Sequence, residues 1–139
     1  MGTVYTELTL KNAGDVSSCN RGMLEESEIR QTTVTAVVDT GAGTLIIDEA
    51  RRQQLGLEVR KEKVVTLANN EKQTVKIVDP VEIHWKDRSC TFQPWVVPNS
   101  PKTLLGAIPL EDMDLIVDPK KEEVFGRHGD EWQGYLLTF

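Results

Sequence analysis

Cysteine and histidine are scarce in this chain, and their scarcity removes several chemistries at the outset. There are two cysteines, Cys19 and Cys90, and two histidines, His84 and His128. Neither pair has the close spacing of a zinc site, and two cysteines make no disulfide framework. Both thiols are read as free, in a reducing cytoplasm. No metal site is expected. Positive charge is short too: 16 Lys and Arg stand against 22 Asp and Glu, a net charge of −6, with no basic stripe. That balance disfavours nucleic acid as a partner. Long apolar runs are missing, and nothing approaches the ~20 consecutive residues of a membrane helix. The stretch from Met1 to Glu7 has neither the basic nor the apolar region of a secretory signal. Gly2 and Thr6 fit the short myristoylation pattern, on few residues. No membrane partner is expected.

What is present is an ordinary globular balance, 39% hydrophobic and 27% charged over 139 residues, which fits one domain at residues 1–139. Most patterns are those of short strands. Val4, Thr6, Leu8 and Leu10 alternate with Tyr5, Glu7 and Thr9. Asn12 to Asp15 has turn chemistry, and residues 16–30 read as a polar loop. Within it Glu25, Glu26 and Glu28 lack the partner spacing of a metal cluster. Gln31 to Val38 reads as a strand. Asp48 caps a short helix that Gly56 stops. Lys63 to Leu67 and Thr74 to Val78 flank a polar tip, as in a hairpin. Val81 to Trp85 and Cys90 to Val97 form a second one around Lys86-Asp87-Arg88, with Pro94 at an edge or bulge. Ile108 to Met113 reads as one or two helical turns. Leu115 to Asp118 and Glu123 to Gly126 read as short strands. The apolar tail, Tyr135 to Phe139, needs a surface to dock on. The expected fold is mostly β and barrel-like, with two short helices.

The chemically informative stretch is Val37-Val38-Asp39-Thr40-Gly41-Ala42-Gly43-Thr44. An apolar run stops at Asp-Thr-Gly and resumes as Leu45-Ile46-Ile47. A carboxylate carried there by a buried strand is costly to bury unless it is stabilised or protonated. Gly41 and Gly43 let the backbone turn tightly and present N–H groups to it. Asp39 is therefore read as an acid–base group acting on water. The bland alternative is an ordinary turn aspartate. Asp39-x-Gly41-x-x-Thr44 also matches a nucleotide-gripping phosphate loop, but that fold needs two large lobes and a second loop, more than this length supplies.

Asp39-Thr40-Gly41-Ala42, after an apolar strand, resembles the active-site loop of aspartic proteases. Thr103-Leu104-Leu105-Gly106, running on into Ala107-Ile108-Pro109-Leu110, resembles that family's second signature. The hairpin at residues 64–78 falls where the flap would be. Order and spacing are similar to the retropepsin-like enzymes, the small retroviral type in single-domain bacterial form, over roughly residues 32–118. The resemblance implies a closed barrel-like retropepsin fold, no cofactor, and an aspartic endopeptidase acting on peptide or protein. No other Asp here has a Gly two positions on. The implied active form is therefore a homodimer, with Asp39 and its twin on the two-fold axis. Asp39, Thr40 and Gly41 would form the catalytic loop, Thr40 bonding across the dimer. Gly41, Ala42 and Gly43, with the tip Leu67, Ala68, Asn69 and Asn70, would hold an extended peptide by β-augmentation. Residues 4–10 and 135–139 are candidates for an intersubunit sheet. Three features depart from the family pattern. Gly43 and Ala107 stand where retroviral members often carry an acid and an arginine. The tip has Asn69-Asn70 rather than glycines. The insertion at residues 12–30 has no counterpart. The competing reading is a non-catalytic dimeric peptide-binding or scaffold module of the same fold.

Overall fold

The alternation near the N-terminus becomes strand β1, Val4–Asn12, whose Val4, Leu8 and Leu10 are buried. The computed structural model describes residues 3–100 and 102–129. β1 runs antiparallel to β2, Gln31–Val38, with Val4 opposite Val38 and Leu10 opposite Thr32. Between them the chain departs from the loop expected at residues 16–30. Ala13–Asn20 is a helix, α1, and Glu26–Glu28 is a 3-10 turn. Asn12, read as a turn residue, caps α1: its Oδ1 accepts from Asp15 N at 3.0 Å, and its Nδ2 donates to Leu55 O at 2.8 Å. No residue of α1 is buried, so the helix has no apolar stripe by which sequence periodicity could reveal it. Asp15 ties down the far end of the excursion. It accepts from Arg30 N at 2.9 Å, Nε at 2.8 Å and Nη2 at 2.9 Å. The Arg30 guanidinium holds the Asp15 carboxyl below its usual 3.8.

After a loop, β3 occupies Leu45–Ile47 and α2 occupies Glu49–Gln54. Asp48 caps α2 as expected, accepting from Arg51 N at 2.7 Å, and Gly56 leaves the helix at φ +66°. β4, Val59–Thr66, and β5, Lys72–Val78, form the expected hairpin, longer than its apolar pattern indicates. β6, Val81–Trp85, and β7, Arg88–Phe92, form the second. Pro94 splits the strand expected at residues 90–97, leaving β8 at Trp95–Val96. β9 is Leu104–Leu105 and α3 is Ala107–Asp112. β10, Leu115–Asp118, pairs with β11, Glu123–Gly126. The described residues thus hold three α-helices rather than two. None is long and apolar enough to cross a membrane. Gly2 and the apolar tail at 135–139 lie outside the described residues.

Nine strands form one sheet in the order β4-β5-β8-β3-β9-β2-β1-β6-β7. Among the described residues this order does not return on itself, so β4 and β7 stay at its edges and the expected closure of the barrel is not seen there. Arg88, read as a turn residue, is buried in β7. It donates from Nη1 to Met113 O at 3.0 Å and Asp114 O at 2.8 Å, and from Nη2 to Gly129 O. The Asp114 carboxylate faces it at 3.2 Å. A buried guanidinium is tolerated only with such a set of acceptors.

The centre of the sheet is β9. It pairs parallel with β2, Val37 opposite Leu104, and antiparallel with β3, Leu45 opposite Leu105. Gly106 admits it there. A Cβ at Gly106 would stand 2.3 Å from Thr44 O, 2.6 Å from Ala42 O and 2.7 Å from Thr44 N, all backbone atoms. Its φ of −88° is open to any residue, so space and not conformation requires the glycine.

Gly106→Ala should therefore destabilise the fold by about 1–3 kcal/mol, the usual cost of overpacking. Gly43→Ala is the contrast: its Cβ would meet only Ile108 Cδ1, at 3.9 Å, and the change should stay within about 0.5 kcal/mol. Urea unfolding of both variants checks this, and equal midpoints would contradict the tight contact at β9. A second expectation concerns acid. Below 3.8 the unfolded chain takes up a proton at Asp15 that the folded chain resists, so stability falls as pH drops toward the depressed folded value. Asp15→Asn should show a shallower loss over that window in stability–pH curves.

Candidate active site

β2 delivers Asp39 into a loop whose two ends are held by the same short unit. Val37 N donates to Thr103 O at 2.8 Å and Asp39 N to Leu105 O at 3.0 Å, which fixes the entry. Ala107 N donates to Ala42 O at 2.8 Å and Ile108 N to Gly43 O at 3.2 Å, which fixes the exit. Inside the loop, Ala42 N donates to Asp39 O at 3.1 Å and turns the chain back. Gly41 N donates to Asp39 Oδ1 at 2.9 Å and aims the carboxylate. Gly43 and Ala107, the positions without the charge pair, are held by backbone bonds instead, Gly43 to Ile108 and Ala107 to Ala42.

Asp39 is exposed, as are Thr40 and Gly41, so the carboxylate is not buried in the single chain. The reason is local. Val37 and Val38 are only half-buried, and the loop stands beyond the ladder that buries Val34 and Ala36. The expected N–H donation to the carboxylate comes from Gly41. Neither Gly41 nor Gly43 has a positive φ. A Cβ on Gly41 would press on Asp39 Oδ1 at 3.2 Å, whereas Gly43 has room. Asp39 and Thr40 line a cavity of about 530 Å³ walled by Val4, Val38, Val117 and Pro119. The Thr44 hydroxyl is buried and has no hydrogen-bond partner among the described residues.

The hairpin tip turns without glycine. Leu67, Ala68, Asn69 and Asn70 are exposed between β4 and β5. Asn70 takes φ +67°, a conformation asparagine tolerates, and Asn69 Oδ1 accepts from Glu71 N at 3.0 Å. These four residues line neither cavity that touches the Asp39 loop. The second of those cavities, about 560 Å³, meets the loop at Thr44 and Ile108 and the hairpin at Lys61 and Lys63. Ile77 and Trp95 supply apolar wall, and Lys63 Nζ lies 5.4 Å from the Trp95 ring centroid. Sequence reasoning passed over both lysines and placed Trp95 only within the strand expected at residues 90–97. The only signal was their two-residue spacing, and it takes the strand register to place them opposite Ile77 and Val75.

Cys90 and the two histidines are engaged away from the Asp39 loop. Burial pushes the Cys90 thiol up to about 12, with the nearby Asp112 charge adding to it. His84 pairs with Glu82 at 2.9 Å and His128 with Asp114 at 2.8 Å. Among the described residues no three His, Cys, Asp or Glu converge as a metal site.

Comparison with known proteins supplies the family. A family model described as aspartyl protease matches residues 26–107, more than half of the chain. No curated protein sequence matches. Among solved structures, EIAV protease complexed with the inhibitor HBY-793 is similar over 80% of this chain and 88% of its own, at 20% identity and a TM-score of 0.49. The retroviral protease-like domain of Ddi1 from Leishmania major is similar over 86% of this chain and 84% of its own, at 16% identity and a TM-score of 0.54, a likeness of fold. With Asp39-Thr40-Gly41 and β9 both inside the matched region, the chain belongs to the aspartyl protease family, and its fold is retropepsin-like.

Proposed function

We propose that two copies of this chain, each a single domain of residues 1–139, pair about a two-fold axis and work as an aspartic endopeptidase. The observation that carries the reading is the Asp39 loop. It presents one oriented carboxylate at the surface of a protomer whose fold supplies no second Asp-Thr-Gly. In the dimer the two Asp39 carboxyls face each other across a water molecule. Carboxylates about 3 Å apart cannot both ionise, so the pair shares one proton and titrates as a unit. The ionised member takes a proton from the water as its oxygen attacks the scissile carbonyl carbon. The protonated member donates a hydrogen bond to the carbonyl oxygen. Collapse of the tetrahedral adduct breaks the C–N bond, and the leaving nitrogen takes the proton that the first carboxylate drew from the water, which returns the pair to one proton.

Thr40 joins the two loops across the axis, and the backbone of Gly41 to Gly43 holds an extended peptide. The tip at Leu67, Ala68, Asn69 and Asn70 closes over it, adding strand-like hydrogen bonds. No cofactor takes part. Cys19 and Cys90, both free thiols, fit a reducing compartment such as the cytoplasm.

Asp39→Asn should abolish peptide cleavage while sedimentation shows the same dimer. Cleavage retained by the variant, or a wild-type chain that stays monomeric while cleaving, defeats the proposal. A pair that must hold one proton and one negative charge also sets a pH profile. kcat/KM should be bell-shaped, falling on the acid side when both carboxyls are protonated and on the alkaline side when both are ionised. A profile that rises monotonically toward alkaline pH would point to a different nucleophile.

A further inference from the structure

The β4–β5 hairpin is positive although the chain is negative. Residues 59–78 carry five basic side chains, Arg60, Lys61, Lys63, Lys72 and Lys76, against Glu62 and Glu71, in a protein of net charge −6. Two of them occupy unusual positions. Lys61 lies opposite Ile77, and Lys63 opposite Val75. Directly opposed residues of an antiparallel pair project to the same face. Both lysines therefore share a face with Ile77 and Val75, which are 5% and 1% exposed. On that face an apolar residue is the default, yet both lysines are exposed because the cavity beside Trp95 opens there. Among the described residues no carboxylate lies within ion-pair distance of either amine. Lys63 Nζ stands over the Trp95 ring at 5.4 Å from its centroid.

The same cavity reaches the Asp39 loop. Thr44 and Ile108 line it, and Ile108 Cδ1 stands at the site a Gly43 Cβ would contact, while Ile108 N bonds Gly43 O. A peptide lying along Gly41 to Gly43 therefore passes the cavity mouth. We infer that this cavity is a side-chain subsite selecting an acidic residue of the substrate, glutamate above all. The aliphatic stem of glutamate packs against Ile77 and Trp95, and its carboxylate reaches Lys61 and Lys63. A lysine or arginine there meets two like charges, and a leucine leaves both ammonium groups unpaired. The inference rests on the protease reading and adds to it a charge preference that the Asp39 loop does not supply.

The test uses the full-length Asp39→Asn chain and fluorescein-labelled peptides that differ only by Glu, Gln, Leu or Lys at one position, scanned in turn. Binding is followed by fluorescence anisotropy, with cleavage of the same peptides by wild type run in parallel. At one position Glu should bind about fivefold more tightly than Gln, the upper end for a partly solvated ion pair, and the advantage should shrink with added salt. Lys61→Glu together with Lys63→Glu should reverse the order to favour Lys. Lys61→Gln with Lys63→Gln, a milder change at exposed positions, should level it. Equal binding of Glu and Lys peptides at every position, or a Glu preference that survives charge reversal, overturns the inference. Cleavage by wild type with no acidic preference overturns it alone and leaves the protease standing. An acidic preference in binding that reverses with the lysines supports it, even where wild type cleaves none of the peptides and the protease reading fails.

Discussion

The whole arrangement depends on one close approach of backbone to backbone, at Gly106. A two-residue strand, β9, sits between β2 and β3 and bonds to both. It can do so because nothing projects from Gly106 toward Ala42 O and Thr44 N. From that contact follow the main-chain bonds that fix both ends of the Asp39 loop. Packing at backbone distance is stiff, since protein interiors give way little to added volume. The carboxylate is thus positioned by the centre of the sheet, although it stands at the surface.

Charge is handled in two ways in the same chain. Around the Asp39 loop, neutral backbone groups do the orienting: an N–H aims the carboxylate, and carbonyls of Ala42 and Gly43 tie down the exit. Such bonds need no counter-charge and incur no desolvation of an ion. Farther away, ions are paired, as with the enclosed Arg88 and Asp114 or the more open Arg30 and Asp15. Lys61 and Lys63 belong to neither pattern, and they stand beside the cavity that meets the loop.

The parts of this structure that could be read from sequence are those governed by spacing. Alternation located β1, and the polar tip between the runs at residues 63–67 and 74–78 located the long hairpin. The order Asp-Thr-Gly, hairpin, Leu-Leu-Gly located the loop and the strand behind it. Parts governed by contacts between distant residues could not be read. Helix α1 exists because Asn12 caps it and Arg30 reaches back to Asp15, with no apolar stripe to announce it. Arg88 looked like a turn residue, since its acceptors at Met113, Asp114 and Gly129 lie some 25 to 41 positions away. The exposure of Asp39 in the single chain could not be read for a similar reason. An apolar run predicts burial of a strand, but not how far the following loop stands clear of it. The faces of Lys61 and Lys63 became known only with the strand register.

The two thiols differ in a way that matters for handling the protein. Cys90 is enclosed and its sulfur strongly resists losing a proton, so almost none of it is thiolate at neutral pH. Cys19 lies partly open near the end of α1. An alkylating dye or a mild oxidant therefore acts first at one atom per chain, in the segment between β1 and β2. A single reporter can be attached there without touching the core or the Asp39 loop.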